Sequence, residues 1–361
     1  MTHLTEGDLE DLAFGAAVLG TGGGGDPYIG RLLAQQAIAD HGPVELVGLD
    51  EVGDDALVLP VAMMGAPTVM VEKIPGRDDL QTVVRMVEAR LGRKATHLVP
   101  IEAGGINSLI PVAAAAQMGL PLVDADGMGR AFPELQMVMP TMGGIAATPM
   151  ALADDKGNSA VLDTVDNVWT ERLARTITIE MGCSSVLSNY PLEGRQARQH
   201  LVAGSLSLCR KIGAEVREAR QRHHDPVDAA LHVITGTRLF TGKVVDVSRR
   251  TSGGFARGSA TLTGTGLDEG STLELQFQNE HLVATVDGAV RAVVPDLICL
   301  FDAESAAPIT TEGLRYGLRV VASAAPCDPR WKSPDGLALV GPPAFGLDVE
   351  HRPIASTAEV T

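Results

Sequence analysis

The chain has 361 residues and a net charge of −16 with histidine neutral. Its length predicts two domains, and 45% hydrophobic with 20% charged content is that of a globular protein needing neither a disulfide framework nor a structural metal. The acidic surface and the 3% aromatic content argue against nucleic-acid and membrane-surface binding, because such a surface repels phosphate and offers few stacking platforms.

Thr5-Glu6-Gly7-Asp8 predicts a capping box that opens a helix over residues 6–19. That helix stops at Gly20, four glycines follow at 22–25, and Pro27 stands at the first turn of a second helix. Strands are then predicted over 44–48, 56–64, 96–101 and 120–123, with helices over 78–91 and 108–118 between them. This alternation predicts an α/β domain with a mostly parallel sheet over residues 1–165. A hairpin is expected around Lys156-Gly157-Asn158, followed by helices over 165–181 and 192–220. Beyond Gly236, short Thr- and Val-rich segments at 243–247, 256–262, 272–277, 282–286 and 296–300 are separated by Gly or Asp. They predict a β-rich module near 238–302 inside a C-terminal α+β domain of residues 166–361. Cys183, Cys209, Cys299 and Cys327 lack CxxC spacing and predict reduced thiols. With a polar, acidic start unlike a secretion signal, they predict a cytoplasmic protein. No apolar run reaches the roughly 18 residues of a membrane span.

Three segments carry the candidate chemistry. The first is Gly20-Thr21-Gly22-Gly23-Gly24-Gly25-Asp26, whose backbone N–H groups can face an anion or a carbonyl oxygen. No Walker lysine follows, and a helix rather than a strand precedes the glycines, so no nucleotide is expected. The loop reads as substrate-binding through Gly22, Gly23, Gly24, Gly25 and Asp26; the alternative is a tight turn between packed helices. The second is Glu102-Ala103-Gly104-Gly105-Ile106-Asn107-Ser108, after a predicted strand and before a helix, where α/β sheets bind ligands. Glu102 is a candidate acid/base group and Asn107 a candidate amide donor or helix cap. The third, Asp124-Ala125-Asp126-Gly127-Met128-Gly129-Arg130, crowds two carboxylates. Their repulsion raises one pKa towards a general-base value. Alternatively, Glu102, Asp124 and Asp126 hold a divalent metal, or the aspartates are turn formers. Arg130 is a candidate to pin a substrate carboxylate, or it pairs with an aspartate.

These segments occur in order with Gly253-Gly254-Phe255-Ala256-Arg257-Gly258, Thr310-Thr311-Glu312-Gly313-Leu314-Arg315-Tyr316-Gly317 and Val340-Gly341-Pro342-Pro343-Ala344-Phe345-Gly346. Together they resemble the S-methyl thiohydantoin desulfurase family, whose members are associated with hydantoinase/oxoprolinase-type proteins. Gly129-Arg130-Ala131-Phe132-Pro133-Glu134 is the most specific part. The resemblance implies two domains and hydrolysis of a five-membered cyclic ureide or its sulfur analogue. Water attack fits, since none of the three candidate segments contains a cysteine. The rival expectation is a non-catalytic ligand-binding or partner subunit of a hydantoinase/oxoprolinase-type enzyme. The expected partners are a small-molecule substrate and either a homo-oligomer or a hydantoinase-type protein.

Overall fold

A computed structural model describes residues 2–65, 69, 73, 76 and 78–354. The Thr5 N–H and hydroxyl donate to the Asp8 carboxylate at 2.9 and 2.7 Å, and this turn leads into helix α1 (Leu9–Leu19). Helix α2 (Pro27–His41) follows the glycine loop.

The first half of the chain builds one ten-stranded sheet. Its strands are β1 (Thr2–Leu4), β2 (Val44–Gly48), β3 (Leu57–Gly65), β4 (His97–Pro100), β5 (Leu122–Asp126), β6 (Met150–Ala153), β7 (Ser159–Leu162) and β8 (Ser184–Ser188), with the two-residue β9 (Leu192–Glu193) and β10 (Val202–Ala203) on its margins. The order is β1-β2-β5-β4-β3-β8-β6-β7. Among the described residues only the core pairs β2–β5, β5–β4 and β4–β3 are parallel; the remaining pairs are antiparallel. The expectation of a mostly parallel sheet is therefore corrected to a mixed sheet with a parallel core. The cause is local for β6 and β7: the Asp154 carboxylate accepts the Lys156 and Asn158 N–H groups, closing a hairpin, and a hairpin pairs its strands antiparallel.

Helices α3 (Asp79–Leu91), α4 (Ile110–Met118) and α5 (Asn167–Glu180) pack on this sheet. Strand β3 is buried along nearly all its length, which explains its unbroken apolar run. The expected helix over 192–220 is instead broken by β9, a short helix at Gly194–His200, and β10. Gly204 then takes φ +74° and turns the chain into α6 (Ser205–Gln221). Helix α1 crosses α6 in backbone contact. A Cβ on Gly15 would stand 1.9 Å from the Cys209 carbonyl oxygen, and one on Gly213 2.2 Å from that of Asp11.

The second half carries a seven-stranded antiparallel sheet of β11 (Thr237–Ser252), β12 (Phe255–Gly264), β13 (Thr272–Gln278), β14 (Glu280–Val286), β15 (Ala289–Val293), β16 (Leu297–Asp302) and β17 (Arg319–Ala325). Strand β17 lies beyond the expected module because six of its seven residues are buried, so it shows no alternation. One apolar core joins the halves, with Leu9, Leu59 and Leu98 in contact through it with Leu297, Phe301 and Trp331.

Candidate active site

Parallel strands β4 and β5 end on the same sheet edge, which brings Glu102 and Asp126 together. The Asp126 Oδ2 atom accepts the N–H groups of Ala103, Met128 and Gly129 at 2.8, 2.9 and 2.7 Å, clamping the chain after β4 to the chain after β5. Glu102 is 6% exposed and lines a cavity of about 90 Å³. Asn107 holds it in place. The Asn107 Nδ2 donates to Glu102 Oε1 at 2.7 Å and to the Met63 carbonyl at 3.2 Å, while its Oδ1 accepts the Met63 N–H at 2.8 Å. Burial raises the Glu102 pKa to about 7; the Asn107 hydrogen bond opposes this and the Asp126 charge adds to it. Burial likewise raises Asp126 to about 7 against its backbone donors.

The glycine loop closes over this edge. The Ile106 N–H donates to the Gly24 carbonyl at 2.8 Å. A Cβ on Gly24 would meet Gly104 Cα at 2.5 Å, and one on Gly23 would meet Glu280 Oε1 at 1.8 Å. The loop is held from the other domain too: the N–H groups of His281 and Thr311 donate to the carbonyls of Thr21 and Gly22 at 2.7 and 2.8 Å. Gly24 and Gly25 line the cavity, and their own N–H groups have no partner among the described residues.

Two residues absent from the sequence-based site face the loop. Glu280 lines the cavity, and its Oε2 is buried without a partner among the described residues. Burial, then the Glu102 charge, push its pKa well above the usual carboxylate range. His281 abuts Gly22 and is fully buried. Burial lowers its pKa to about 4, so the neutral ring donates Nδ1–H to the Ile298 carbonyl at 2.9 Å and keeps on Nε2 a lone pair without a partner among the described residues. The signal in the sequence was Asn279-Glu280-His281, a polar triplet where one alternating strand gives way to the next.

The segments 20–26, 102–107 and 124–130 thus converge, but their side chains divide in use. Asp124 turns away from the cavity: its Oδ1 accepts the N–H groups of Leu206 and Ser207 at 2.9 and 3.0 Å, at the start of α6. Asp26 caps α2 by accepting the Tyr28 N–H at 2.8 Å, outside this cavity. Gly22 and Gly23 back the cavity without lining it. Arg130 has no solvent exposure. It donates to the carbonyls of Ala131, Pro295 and Asp296 and to Thr21 Oγ1, and stacks 4.4 Å above the Phe132 ring centroid. It therefore locks the loop to the turn before β16, and the reading of Arg130 as a clamp for a substrate carboxylate is corrected. So is the reading of a divalent metal on Glu102, Asp124 and Asp126. Asp124 is committed to a helix end, and among the described residues no three His, Cys, Asp or Glu side chains are arranged to hold a metal ion.

The fold and this geometry define a two-domain protein with an acidic cavity between a mixed α/β sheet and an antiparallel β domain. Residues 7–164 match the S-Me-THD-like N-terminal domain, and residues 165–354 match the S-Me-THD-like C-terminal domain. The chain belongs to the S-Me-THD-like family. Its fold is similar to that of a protein from Chromobacterium violaceum solved by X-ray crystallography, with 24% identity and a TM-score of 0.81 over 98% of this chain and 100% of that one. No curated protein matches it. Among the described residues, no helix is long and apolar enough to cross a membrane.

Proposed function

We propose that the chain is a hydrolase of five-membered cyclic ureides or thiohydantoins, releasing a thiol from an S-methyl thiohydantoin by water attack. The observation that carries this reading is the pair of buried carboxylates, Glu102 and Glu280, lining one cavity under unpartnered glycine N–H groups. A base with a pKa near 7 beside an acid held protonated by burial suits proton transfer in both directions near neutral pH.

The steps balance. Ionised Glu102 takes a proton from water as the water oxygen bonds to the ring carbon bearing sulfur. The C=N electron pair moves to the ring nitrogen, which takes the Glu280 proton. Glu280 recovers a proton from the new hydroxyl as C=O forms and the C–S bond breaks. The sulfur leaves as methanethiol with the proton held on Glu102. The N–H groups of Gly24 and Gly25 support charge on a ring oxygen or nitrogen. The test is methanethiol release from S-methyl thiohydantoin by the purified chain, followed with a thiol-reactive chromophore. Release above the uncatalysed rate is expected. No release, or release only after a hydantoinase-type protein is added, would overturn the single-chain reading.

A further inference from the structure

We infer that the carboxamide of Asn189 reads the cis-amide edge of the ring, and so selects cyclic amides carrying a free ring N–H. This rests on the functional reading above and extends it to the group that recognises the substrate.

Asn189 follows Ser188, the last residue of β8, which pairs with both β3 and β6 in the middle of the sheet. The next residue is pinned: the Tyr190 N–H donates to the Ala147 carbonyl at 3.0 Å, and its hydroxyl lies 2.7 Å from Thr141 Oγ1. Asn189 is therefore displayed from a rigid element. It is 1% exposed and lines the same cavity as Glu102 and Glu280. Among the described residues its Oδ1 is buried without a partner, and its Nδ2 makes no hydrogen bond. Folded proteins rarely leave a buried amide unsatisfied, so an amide unsatisfied on a cavity wall marks a place for a ligand's polar atoms.

The rest of the wall narrows the choice. Met63, Met64, Ile101, Met128, Phe132 and Leu187 supply apolar surface. Asn107 is committed to Glu102 and Met63. Among the neutral groups, Asn189 offers one acceptor and one donor side by side. A five-membered ring forces its amide bond cis, so N–H and C=O lie on one edge and match that pair. An open-chain trans amide presents them on opposite sides and does not.

The test is calorimetric binding of hydantoin and of 1,3-dimethylhydantoin, which has no ring N–H, to the full chain and to Asn189→Leu. The wild type is expected to prefer hydantoin by at least about tenfold. Asn189→Leu is expected to lose at least about tenfold in hydantoin affinity and to bind the two ligands alike, with an undiminished melting temperature, because the replaced amide has no hydrogen-bond partner among the described residues. If the leucine variant does not fold, Asn189→Asp serves: without the N–H donor it too should lose hydantoin affinity. Equal wild-type binding of both ligands, or a variant that discriminates like the wild type, overturns the assignment. Hydantoin binding that depends on Asn189 without thiol release from S-methyl thiohydantoin sinks the hydrolase and leaves this assignment standing. No wild-type binding of hydantoin sinks the assignment itself.

Discussion

Asp126 and Glu280 come from different halves of the molecule, both are buried and both sit close to Glu102, yet they differ in the backbone donors around them. Asp126 follows from the parallel strands, and one of its oxygens accepts three backbone N–H groups. Glu280 comes from the start of β14; like Asp126 it has one buried oxygen with no partner among the described residues, but no N–H of another described residue donates to its carboxyl. A carboxylate ringed by donors is a structural clamp, whereas a buried carboxyl lacking them is held ready for a proton or a ligand. The α/β sheet thus supplies a fixed edge, and the β domain supplies a group whose surroundings leave it unsatisfied. Glu102 stands between the two cases, oriented by the Asn107 amide while lining the cavity.

The largest test of this contrast is Glu102→Gln. Thiol release should fall by roughly a hundredfold to ten-thousandfold, the range of general-base loss, with the fold retained. In the wild type the rate should rise with pH through about 7 as Glu102 ionises, and that limb should vanish in the variant. Stability should move the other way. The Glu102 pKa is raised in the folded state above its ordinary 4.5, so its contribution is complete below about 4.5 and is lost as pH rises through about 7. Denaturant titrations at pH 5 and pH 8 should show Glu102→Gln gaining stability relative to wild type at the higher pH. An unchanged difference at the two values would contradict a buried, strongly shifted Glu102.

Arg130→Met strikes where the two halves are tied. It strands the carbonyls of Pro295 and Asp296 and removes the cation whose charge opposes the rise in the Glu280 pKa. Loss of at least about 2 kcal/mol of stability is expected, since each buried carbonyl left without its donor costs about 1–3 kcal/mol. A stable, folded Arg130→Met with poor substrate binding would return Arg130 to the role of substrate clamp.

Neighbouring glycines should fail differently. A Cβ at Gly23 collides with the Glu280 side chain, so Gly23→Ala should displace that carboxyl and cut turnover at least about tenfold while costing about 1–3 kcal/mol. At Gly24 the Cβ meets the Gly104 backbone, and φ is +73°, so Gly24→Ala should lose stability first. Melting temperatures and rates on both variants decide it; the same ratio of activity loss to stability loss in the two would remove the distinction.

Much of the edge was legible in the sequence because it follows from local pattern. Apolar strands read over 96–101 and 120–123, with a helix between them, put residues 102 and 126 on one edge by topology alone. What was illegible was long-range. Nothing near Asp124 announces that the N-terminus of α6, some eighty residues later, will take its carboxylate. Nothing near Glu280 announces that the loop facing it lies more than two hundred and fifty residues earlier. Arg130 looked like a substrate clamp because a guanidinium suits carboxylates, and its real acceptors are backbone oxygens of a distant turn. The resemblance carried by 310–317 was visible as a motif, but its work, the Thr311 N–H on the Gly22 carbonyl, appears only in the fold.

The smallest expected effects separate the two aspartates of β5. An asparagine at 124 still offers an oxygen to the Leu206 and Ser207 N–H groups. Asp124→Asn loses only the favourable charge at the helix N-terminus, about 0.3–1 kcal/mol, and turnover and its pH profile should stay as in wild type. At 126 an asparagine can keep its oxygen on the three backbone donors and place its NH2 where Oδ1 now lacks a partner. The fold should survive, but a charge beside Glu102 is gone. Because that charge helps to raise the Glu102 pKa, its removal should move the acidic limb of the rate profile to lower pH. Rate profiles of both variants make the comparison. A shift in Asp124→Asn equal to that in Asp126→Asn would mean that the helix-capping carboxylate also acts on Glu102, and the division between clamp and reactive group would fail at the residue where it is drawn most finely.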